Sequence, residues 1–303
     1  MFENLFSKAG LSLERLRTFA EIVEAQGFTA AARGDPTRQS QFSRQLRELE
    51  EYFGVELVSR GRGRFALTPA GKALHELVRS QFNALEDLRK TCDDQPVEIS
   101  LGAGESLLQW LVLPCLARVR EKLPKVVWTL QNLQTEEIVA RLADGRTDLG
   151  IIRSEAVPKS LRSVPLGKLE FALFVPKGLL NESSPSDIGK LLGQLPLAVL
   201  EGHSQLNEVL QNSARKTGLA LNVQLRCSSL TQVAEAVQKL GFAALLPTLA
   251  KQALATAEVE TRVFAGVKSM SRLLALAWNP RTAAIRPALQ RAAKELASLL
   301  KLS

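Results

Sequence analysis

Apolar residues recur at helical spacing near the start of the chain. From Leu13 to Val23 they follow one another every three or four positions, which predicts a first helix over residues 12–26. A short second helix is predicted from Phe28 and is broken by the Gly-Asp-Pro sequence at 34–36. The start of the chain is therefore expected to be helical.

A third helix is predicted over residues 38–54, with Thr37 as its N-terminal cap. Its apolar stripe has the spacing i, i+4, i+7 and i+11 and consists of Phe42, Leu46, Leu49 and Phe53. The opposite face is polar and consists of Ser40, Gln41, Arg44, Glu48 and Glu51. This amphipathic pattern raises the question of what the polar face touches.

A β-hairpin and a long helix are predicted next. Two short strand-like runs flank Arg62 and Gly63, which predicts a hairpin, or wing, tipped with arginines. The helix is predicted over residues 69–92, with Pro69 in its first turn. A coiled-coil rhythm runs through Leu74, Val78, Gln81, Leu85 and Leu88. It covers fewer than three heptads, so a dimer contact and packing on the same chain both remain open.

From residue 97 onward, apolar strands alternate with helices. This alternation predicts an α/β fold with largely parallel sheets covered on both faces. The strands are expected at 97–103, 126–131, 148–153, 171–176, 196–201, 220–227, 242–247 and 272–278. The units form two sets, so we expect two lobes with a ligand-binding cleft between them.

Composition is that of an ordinary globular protein. The 303 residues are 46% hydrophobic and 23% charged, and at this length two or more domains are expected. No apolar run is long enough to span a membrane, and the start lacks the pattern of a secretory signal. The cysteines are few and far apart, which favours reduced thiols in the cytoplasm. They are Cys92, Cys115 and Cys227.

The sequence gives little support to an enzyme. Its two histidines, His75 and His203, are far apart, and no Cys or His cluster has metal-ligand spacing. The sequence Gly61–Arg62–Gly63 fits the turn of the wing better than a phosphate-binding loop. We therefore predict no catalytic residue, no metal and no cofactor.

Charge and local chemistry point to a polyanionic partner. The formal net charge is +8 and the pI is about 9.6, although most of the excess lies after residue 92. The first half of the third helix carries donors and acceptors that match base edges and phosphates of a DNA major groove. Its second half carries Glu48, Glu50 and Glu51, which would repel DNA, so entry by the N-terminal end is expected. The alternative is an ordinary solvated helix face.

The order of several blocks resembles the LysR-type transcriptional regulator family over nearly the whole chain. The segments "LRTFAEIVEAQGFTAAA", "SRQLRELEEYFGVELVSR" and "LTPAG" resemble the family's helix-turn-helix, recognition helix with wing, and linker helix. The segments "LPKVVWTLQN", "ARLADGRTDLGII" and "GFAALLP" resemble its effector domain.

This resemblance implies a definite architecture. It implies a mostly α-helical winged helix-turn-helix at 11–68, a linker and dimerisation helix at 69–92, and an effector domain at 97–303. The effector domain would have the two-lobed α/β fold of type 2 periplasmic binding proteins. Lobe I would comprise about 97–170 and 271–303, and lobe II about 171–270.

The chain departs from the family pattern at three places. Gly34–Asp35–Pro36 occupies the turn before the recognition helix, where an apolar residue is common. Arg38–Gln39–Ser40 replaces the usual Ser-Gln-Pro, and Leu57–Val58–Ser59–Arg60 replaces Leu-Phe-x-Arg. We expect the architecture to persist and the base preference to be atypical.

The resemblance implies a sequence-specific regulator of transcription that binds promoter or operator DNA as a homodimer or homotetramer. Glutamine suits the edge of adenine and arginine that of guanine, whereas wing arginines position the protein on the backbone or in the minor groove. The predicted DNA-binding residues are Thr37, Arg38, Gln39, Ser40, Gln41, Ser43, Arg44, Arg47, Arg60, Arg62 and Arg64.

A small-molecule effector is expected between the lobes, and a small organic acid is one candidate class because helix N-termini at the cleft would favour an anion. The predicted effector residues are Gly104, Glu105, Ser106, Arg153, Gly202, His203, Ser204, Ser228, Ser229 and Thr231. Ordinary N-capping is the alternative role for the serines and threonines. Glu105 opposes a simple anion unless the ligand also carries an amine or a hydroxyl.

Two other functions stay open from sequence. One is a cytoplasmic ligand-sensing or solute-binding module whose DNA binding is weak or lost, which the Gly34–Asp35–Pro36 turn motivates. The other is an architectural protein that binds DNA of any sequence. Comparing the affinities for random and promoter DNA at one salt concentration would separate them.

Overall fold

A computed structural model describes residues 2–59, 65–181, 185 and 187–302. The predicted hairpin is present at its base, where Val58 and Leu67 form an antiparallel bridge and the amide of Ser59 donates to the carbonyl of Ala66 at 2.8 Å. The predicted contacts at Arg60, Arg62 and Arg64 lie outside the described residues.

The N-terminal part is helical, as predicted. Its helices are α1 (Glu3–Phe6), α2 (Leu13–Glu24), α3 (Phe28–Ala31), α4 (Pro36–Phe53) and α5 (Pro69–Cys92). Phe19, Ile22, Leu49 and Leu57 are fully buried where these helices meet. Burial of each such side chain contributes about 1.5–3 kcal/mol relative to exposure.

Helix α4 begins at Pro36, two residues before the predicted start at residue 38. Its N-terminal cap is Asp35, whose Oδ1 accepts from the amides of Thr37 at 2.8 Å and Arg38 at 3.3 Å. The prediction that Thr37 caps the helix is therefore wrong. Pro36 fits the first helical position because it needs no amide partner there.

Helix α5 is divided between two environments. Leu74 and Val78 are buried in the core of the N-terminal domain, so the predicted stripe through them is not a free seam. Further along the same stripe Leu85 (51%) and Leu88 (60%) are exposed, and so is Leu77 (56%) beside it. The first half of the helix thus packs on its own chain, and the second half presents apolar side chains outward.

The second part of the chain is α/β and two-lobed. The first lobe contains a five-stranded sheet in the order β2-β1-β3-β10-β4. Its strands are β1 (Val97–Ala103), β2 (Val126–Asn132), β3 (Leu149–Arg153), β4 (Arg162–Leu169) and β10 (Arg272–Trp278). The second lobe contains β5 (Phe171–Pro176), β6 (Leu197–Leu200), β7 (Val223–Cys227), β8 (Ala244–Pro247) and β9 (Val259–Arg262).

The expectation of largely parallel sheets is wrong. The pairs β1–β2, β1–β3 and β6–β7 are parallel, whereas β10 runs antiparallel to both of its neighbours. Strand β5 is likewise antiparallel to β8 and β9. The chain returns to the first lobe in the opposite direction, and the pattern of apolar residues within a strand carries no information on its direction.

Helices cover both lobes. A continuous helical segment comprises α6 (Glu105–Leu107), a π-helical stretch (Leu108–Val112) and α7 (Leu113–Lys122). The remaining helices are α8 (Thr135–Ala143), α9 (Ile188–Gln194), α10 (Gln205–Arg215), α11 (Leu230–Leu240), α12 (Ala265–Lys268), α13 (Pro280–Ile285) and α14 (Pro287–Leu299). Within the described ranges, no helix is both long and apolar enough to cross a bilayer.

A buried ion cluster attaches α5 to the first lobe. Arg286, 3% exposed, donates from Nε to Asp87 on α5 at 2.6 Å and also pairs with Asp148. It donates from Nη2 to the carbonyl of Glu98 at 3.1 Å. Asp148 in turn accepts from the amide of Ser100 at 2.8 Å. This cluster joins the linker helix, β1 and the start of α14.

Candidate functional site

The first half of α4 presents a polar surface. Thr37, Ser40, Gln41, Arg44 and Arg47 are exposed. The side chain of Arg44 is 72% exposed, and its nearest carboxylate is that of Glu48, 3.8 Å away. Two further predicted residues, Gln39 and Ser43, are half-buried. The helix therefore projects hydrogen-bonding groups from its N-terminal half.

Arg38 is partly used by its own domain. Its Nη2 donates to Glu21 on α2 at 3.3 Å, and its guanidinium lies 5.1 Å from the ring centroid of Phe42. The sequence pattern gave no sign of this contact, because it depends on how α2 packs against α4. Arg38 helps to hold the two helices together.

Two of the acidic residues of α4 are engaged within the domain. Glu48 accepts from Nε of Arg15 at 2.6 Å, and buried Glu50 accepts from the amide of Leu57 at 2.8 Å. Glu51 is exposed near the C-terminal end. Glu48 and Glu50 are therefore held by groups of the same domain, and Glu51 is distant from the N-terminal half of the helix that would meet DNA.

A cleft of about 500 Å³ lies between the two α/β lobes. Among the predicted effector residues it is lined by Gly104, Glu105, Ser106, Arg153, Ser204, Ser228 and Ser229. Polar residues that sequence reasoning missed also line it: Asn132, Gln134, Thr135, Gln205 and Arg272. The apolar part of the wall includes Leu169, Phe171 and Pro247.

Two side-chain hydrogen bonds join the lobes at the cleft, one to Glu105 and one from Arg272. Glu105, the first residue of α6, accepts from the hydroxyl of Thr231 in the first turn of α11. The Thr231 hydroxyl is also 2.8 Å from that of Ser229. Ser229 and Ser204 additionally cap α11 and α10 through their side chains. N-capping was the alternative role for these serines. In the structure Ser204 and Ser229 both cap a helix and line the cleft.

The positive side of the cleft comes from two strands. Arg272 on β10 donates to the side chain of Gln205 at 2.6 Å and lies 6.0 Å from the ring centroid of Phe171. Burial, together with the charge of nearby Arg153, lowers the pKa of Arg272. A bound carboxylate would relieve the repulsion between these two guanidinium groups.

Three predicted effector residues, Gly202, His203 and Thr231, are not part of the cleft wall. Gly202 and His203 are exposed in the loop before α10 and are absent from its wall. Buried Asn207 holds this loop by donating to the carbonyls of Leu200 at 2.7 Å and Gly202 at 3.0 Å. Effector binding by Gly202 and His203 therefore has no support from the cleft wall and stays a prediction.

The cleft carries no thiol. The three cysteines are free: Cys92 is exposed, Cys115 is half-buried and Cys227 is buried. Burial raises the pKa of the Cys227 thiol, which disfavours the reactive thiolate. In the described part of the chain, no group of three or more His, Cys, Asp or Glu side chains is arranged to hold a metal ion.

Comparison with known families agrees with both halves of the structure. The family described as "Bacterial regulatory helix-turn-helix protein, lysR family" matches residues 13–72. The family described as "LysR substrate binding domain" matches residues 95–300, which is more than half of the chain. The chain belongs to the LysR family. It is therefore a DNA-binding transcriptional regulator with an effector-binding domain, as the sequence resemblance predicted.

Individual LysR-type proteins show the same likeness. The chain is 30% identical over 248 residues to the HTH-type transcriptional regulator EstR of Acinetobacter baylyi, covering 79% of this chain and 80% of EstR. It is 30% identical over 171 residues to a probable hydrogen peroxide-inducible genes activator of Mycobacterium xenopi, covering 55% and 90% of the two chains.

A solved full-length structure supports the fold. LysG of Corynebacterium glutamicum, solved with bound effector Arg, aligns with a TM-score of 0.62 over 95% of this chain and 98% of LysG. The two sequences are 16% identical, so the likeness concerns the fold alone. The predicted winged helix-turn-helix and two-lobed α/β effector domain are confirmed.

Proposed function

We propose that this LysR-type regulator reads its operator through the N-terminal half of α4. Base contacts come from Gln39, Ser40, Gln41 and Arg44, with Thr37, Ser43 and Arg47 on adjacent phosphates. The supporting observation is the exposed donor surface of α4, beside acids that are engaged within the domain. Titration of operator DNA with an Arg44→Ala variant tests this proposal.

The wing arginines Arg60, Arg62 and Arg64 belong to the same proposal as contacts to the DNA backbone or minor groove. We further propose a division into 11–68, 69–92 and 97–303. The five-stranded sheet and the strands β5 to β9 support a boundary between lobes near 170 and 271. A regulator that binds chromosomal DNA acts in the cytoplasm, and the protein acts by binding rather than catalysis.

Self-association is proposed to use the exposed face of α5. Two copies that place Leu77, Leu85 and Leu88 together would remove apolar surface from water. They would also present two α4 helices to inverted half-sites about one helical turn of DNA apart. A homodimer, or a homotetramer built from two dimers, follows from this geometry.

The effector is proposed to be a small organic acid that also carries an amine or a hydroxyl group. Its carboxylate would bind Arg272 and Arg153, and its donor would bind Glu105, which lines the same cleft. The observation that supports this class is the presence of both charge types in one cleft of about 500 Å³. An amino acid has both groups, as does the effector named for LysG.

Peroxide sensing, suggested by the name of the Mycobacterium relative, is not favoured. A thiol-based sensor needs an accessible cysteine of low pKa. Cys227 is buried with a raised pKa, exposed Cys92 lies at the end of α5 outside the effector cleft, and the cleft wall contains no cysteine among its described residues. We therefore propose reversible binding of an acid rather than thiol chemistry.

Titration of the full-length protein with amino acids, hydroxy acids and unsubstituted carboxylic acids tests the effector class. We expect an amino or hydroxy acid to raise the melting temperature, because a ligand that binds only the folded state stabilises it. Arg272→Gln and Glu105→Gln should each weaken that ligand roughly 10- to 100-fold, since each removes a charged hydrogen bond worth about 1.5–3 kcal/mol.

Arg262→Gln is the matched control, because Arg262 is an exposed arginine of β9 outside the cleft wall. Its ligand affinity should equal that of the unchanged protein. The proposed effector site would be contradicted if no compound of the panel raised the melting temperature. It would also be contradicted by a ligand whose affinity is the same in all three variants.

A further inference from the structure

A second cleft, here called the interdomain cleft, lies where the DNA-binding domain, the linker helix and the first lobe meet. Its volume is about 840 Å³, and it shares no residue with the effector cleft. Its charged and imidazole-bearing wall residues are Glu24 on α2, then Lys72, His75, Glu76 and Arg79 on α5, and Arg141, Asp144 and Arg146 from the first lobe. Three parts of the chain thus contribute to one polar wall.

Unpaired nitrogen atoms are concentrated in this wall. Within the described residues, five buried side-chain nitrogen or oxygen atoms have no hydrogen-bond partner. Three of them belong to the interdomain cleft: Nε2 of His75, Nε of Arg79 and Nε of Arg141. A buried polar atom left unpaired costs about 1–3 kcal/mol, so this concentration indicates that an acceptor belongs here.

The protein's own carboxylates do not supply that acceptor. Glu24 already pairs with Arg79 through a terminal guanidinium nitrogen. Glu137 likewise accepts from Nη2 of Arg141 at 2.7 Å. In both arginines the terminal nitrogen is engaged while Nε is buried and unpaired. The arrangement leaves donors from two domains available to one further group.

His75 carries the third of these unpaired nitrogen atoms. It is 5% exposed and contacts Phe19 edge-to-face at a centroid distance of 6.4 Å. Burial, followed by the charge of Arg79, lowers the pKa of His75, which favours the neutral imidazole. Burial raises the pKa of Glu76, which with Glu24 and Asp144 forms the acidic part of the wall.

We propose that the interdomain cleft binds a small oxyanion, a phosphate or a carboxylate, through the side chains of Arg79, Arg141 and His75. Lys72 adds positive charge to the wall, whereas Arg146 is paired with Asp144 at 2.6 Å. Charge-assisted hydrogen bonds from arginine favour such anions. This site is additional to the effector cleft and does not depend on the class of effector bound there.

Binding here would link the two halves of the molecule. Arg79 belongs to the linker helix and pairs with α2, whereas Arg141 belongs to α8 of the first lobe. An anion that contacts both binds only the arrangement in which these elements are close. It would therefore stabilise that arrangement by the difference in its affinity for the two states.

Isothermal titration calorimetry of the full-length protein with inorganic phosphate, succinate and acetate, at constant ionic strength, tests the site. We expect saturable binding of phosphate or of a carboxylate, and the three arms tell which. Arg141→Gln and, independently, Arg79→Gln should raise the Kd about tenfold or more. Arg118→Gln, at an exposed position on α7, should leave it unchanged.

Arg272→Gln separates the two clefts, because it alters only the effector cleft. The anion's Kd should be unchanged in this variant. Absence of binding by all three anions, equal affinity in Arg141→Gln and the unchanged protein, or loss of binding in Arg272→Gln would each overturn the interdomain site. Such outcomes leave the effector proposal intact, since its own test uses amino and hydroxy acids.

Discussion

Arg286→Ala is expected to reduce the free energy of unfolding by about 3–5 kcal/mol, because it leaves two buried carboxylates without their partner. Arg286 donates to Asp87 at 2.6 Å and pairs with Asp148, and the ion cluster lies almost entirely out of water. For a domain of this size the melting temperature should fall by roughly 10 °C. Thermal and urea unfolding of the full-length protein measure the loss.

Arg291→Ala is the control for this prediction. Arg291 is exposed on the same helix, α14, so its removal should change the free energy of unfolding by less than about 0.5 kcal/mol. If Arg286→Ala and Arg291→Ala unfold at the same urea concentration, the cluster does not attach the linker helix to the first lobe with the strength inferred from its burial.

Leu88→Glu is expected to convert the dimer into monomers and to weaken operator binding about 100-fold or more. The substitution places a charge on an exposed apolar face that we propose a second copy covers. A monomer engages one half-site, so it loses the gain of about 10²- to 10⁴-fold that linked binding gives. Sedimentation velocity and gel-shift titration measure the two effects.

Leu240→Glu is the matched control, because Leu240 is a comparably exposed leucine at the end of α11 in the second lobe. The Leu240→Glu protein should sediment as a dimer, and its affinity for operator DNA with two half-sites should be unchanged. A Leu88→Glu protein that remained dimeric and bound DNA normally would place the self-association surface elsewhere.

The element types were largely predictable, because the periods of apolar residues differ between helices and strands. The capping residue of α4 could have been found as well. A proline at position 36 favours the first helical position, which makes Asp35 the cap rather than Thr37. The error came from weighing the side-chain type of Thr37 above the backbone restriction of Pro36.

The linker seam was not predictable from spacing alone. Leu74 and Val78 recur at helical spacing, and so do Leu77 and Leu88. Which pair is buried depends on where the rest of the N-terminal domain packs, and that is a tertiary property. The structure places the first pair in the core and leaves the second exposed.

The effector cleft shows the same limit. Residues next to strand ends, such as Glu105 and Ser229, were accessible to sequence reasoning because strand and helix boundaries mark them. Arg272 was missed, since β10 returns to the first lobe after the whole second lobe has been formed. The ion cluster at Arg286 was missed for the same reason, because its partners lie far away along the chain.

The most direct test of the account is the affinity of Arg44→Ala for a bound operator and for operators substituted at one base pair at a time, at fixed salt. If α4 reads the major groove, the variant should bind the operator about 5- to 150-fold more weakly, corresponding to about 1–3 kcal/mol. It should also lose discrimination at one base pair while retaining it elsewhere. Unchanged operator affinity, or discrimination at every position equal to that of the unchanged protein, would contradict recognition through this helix.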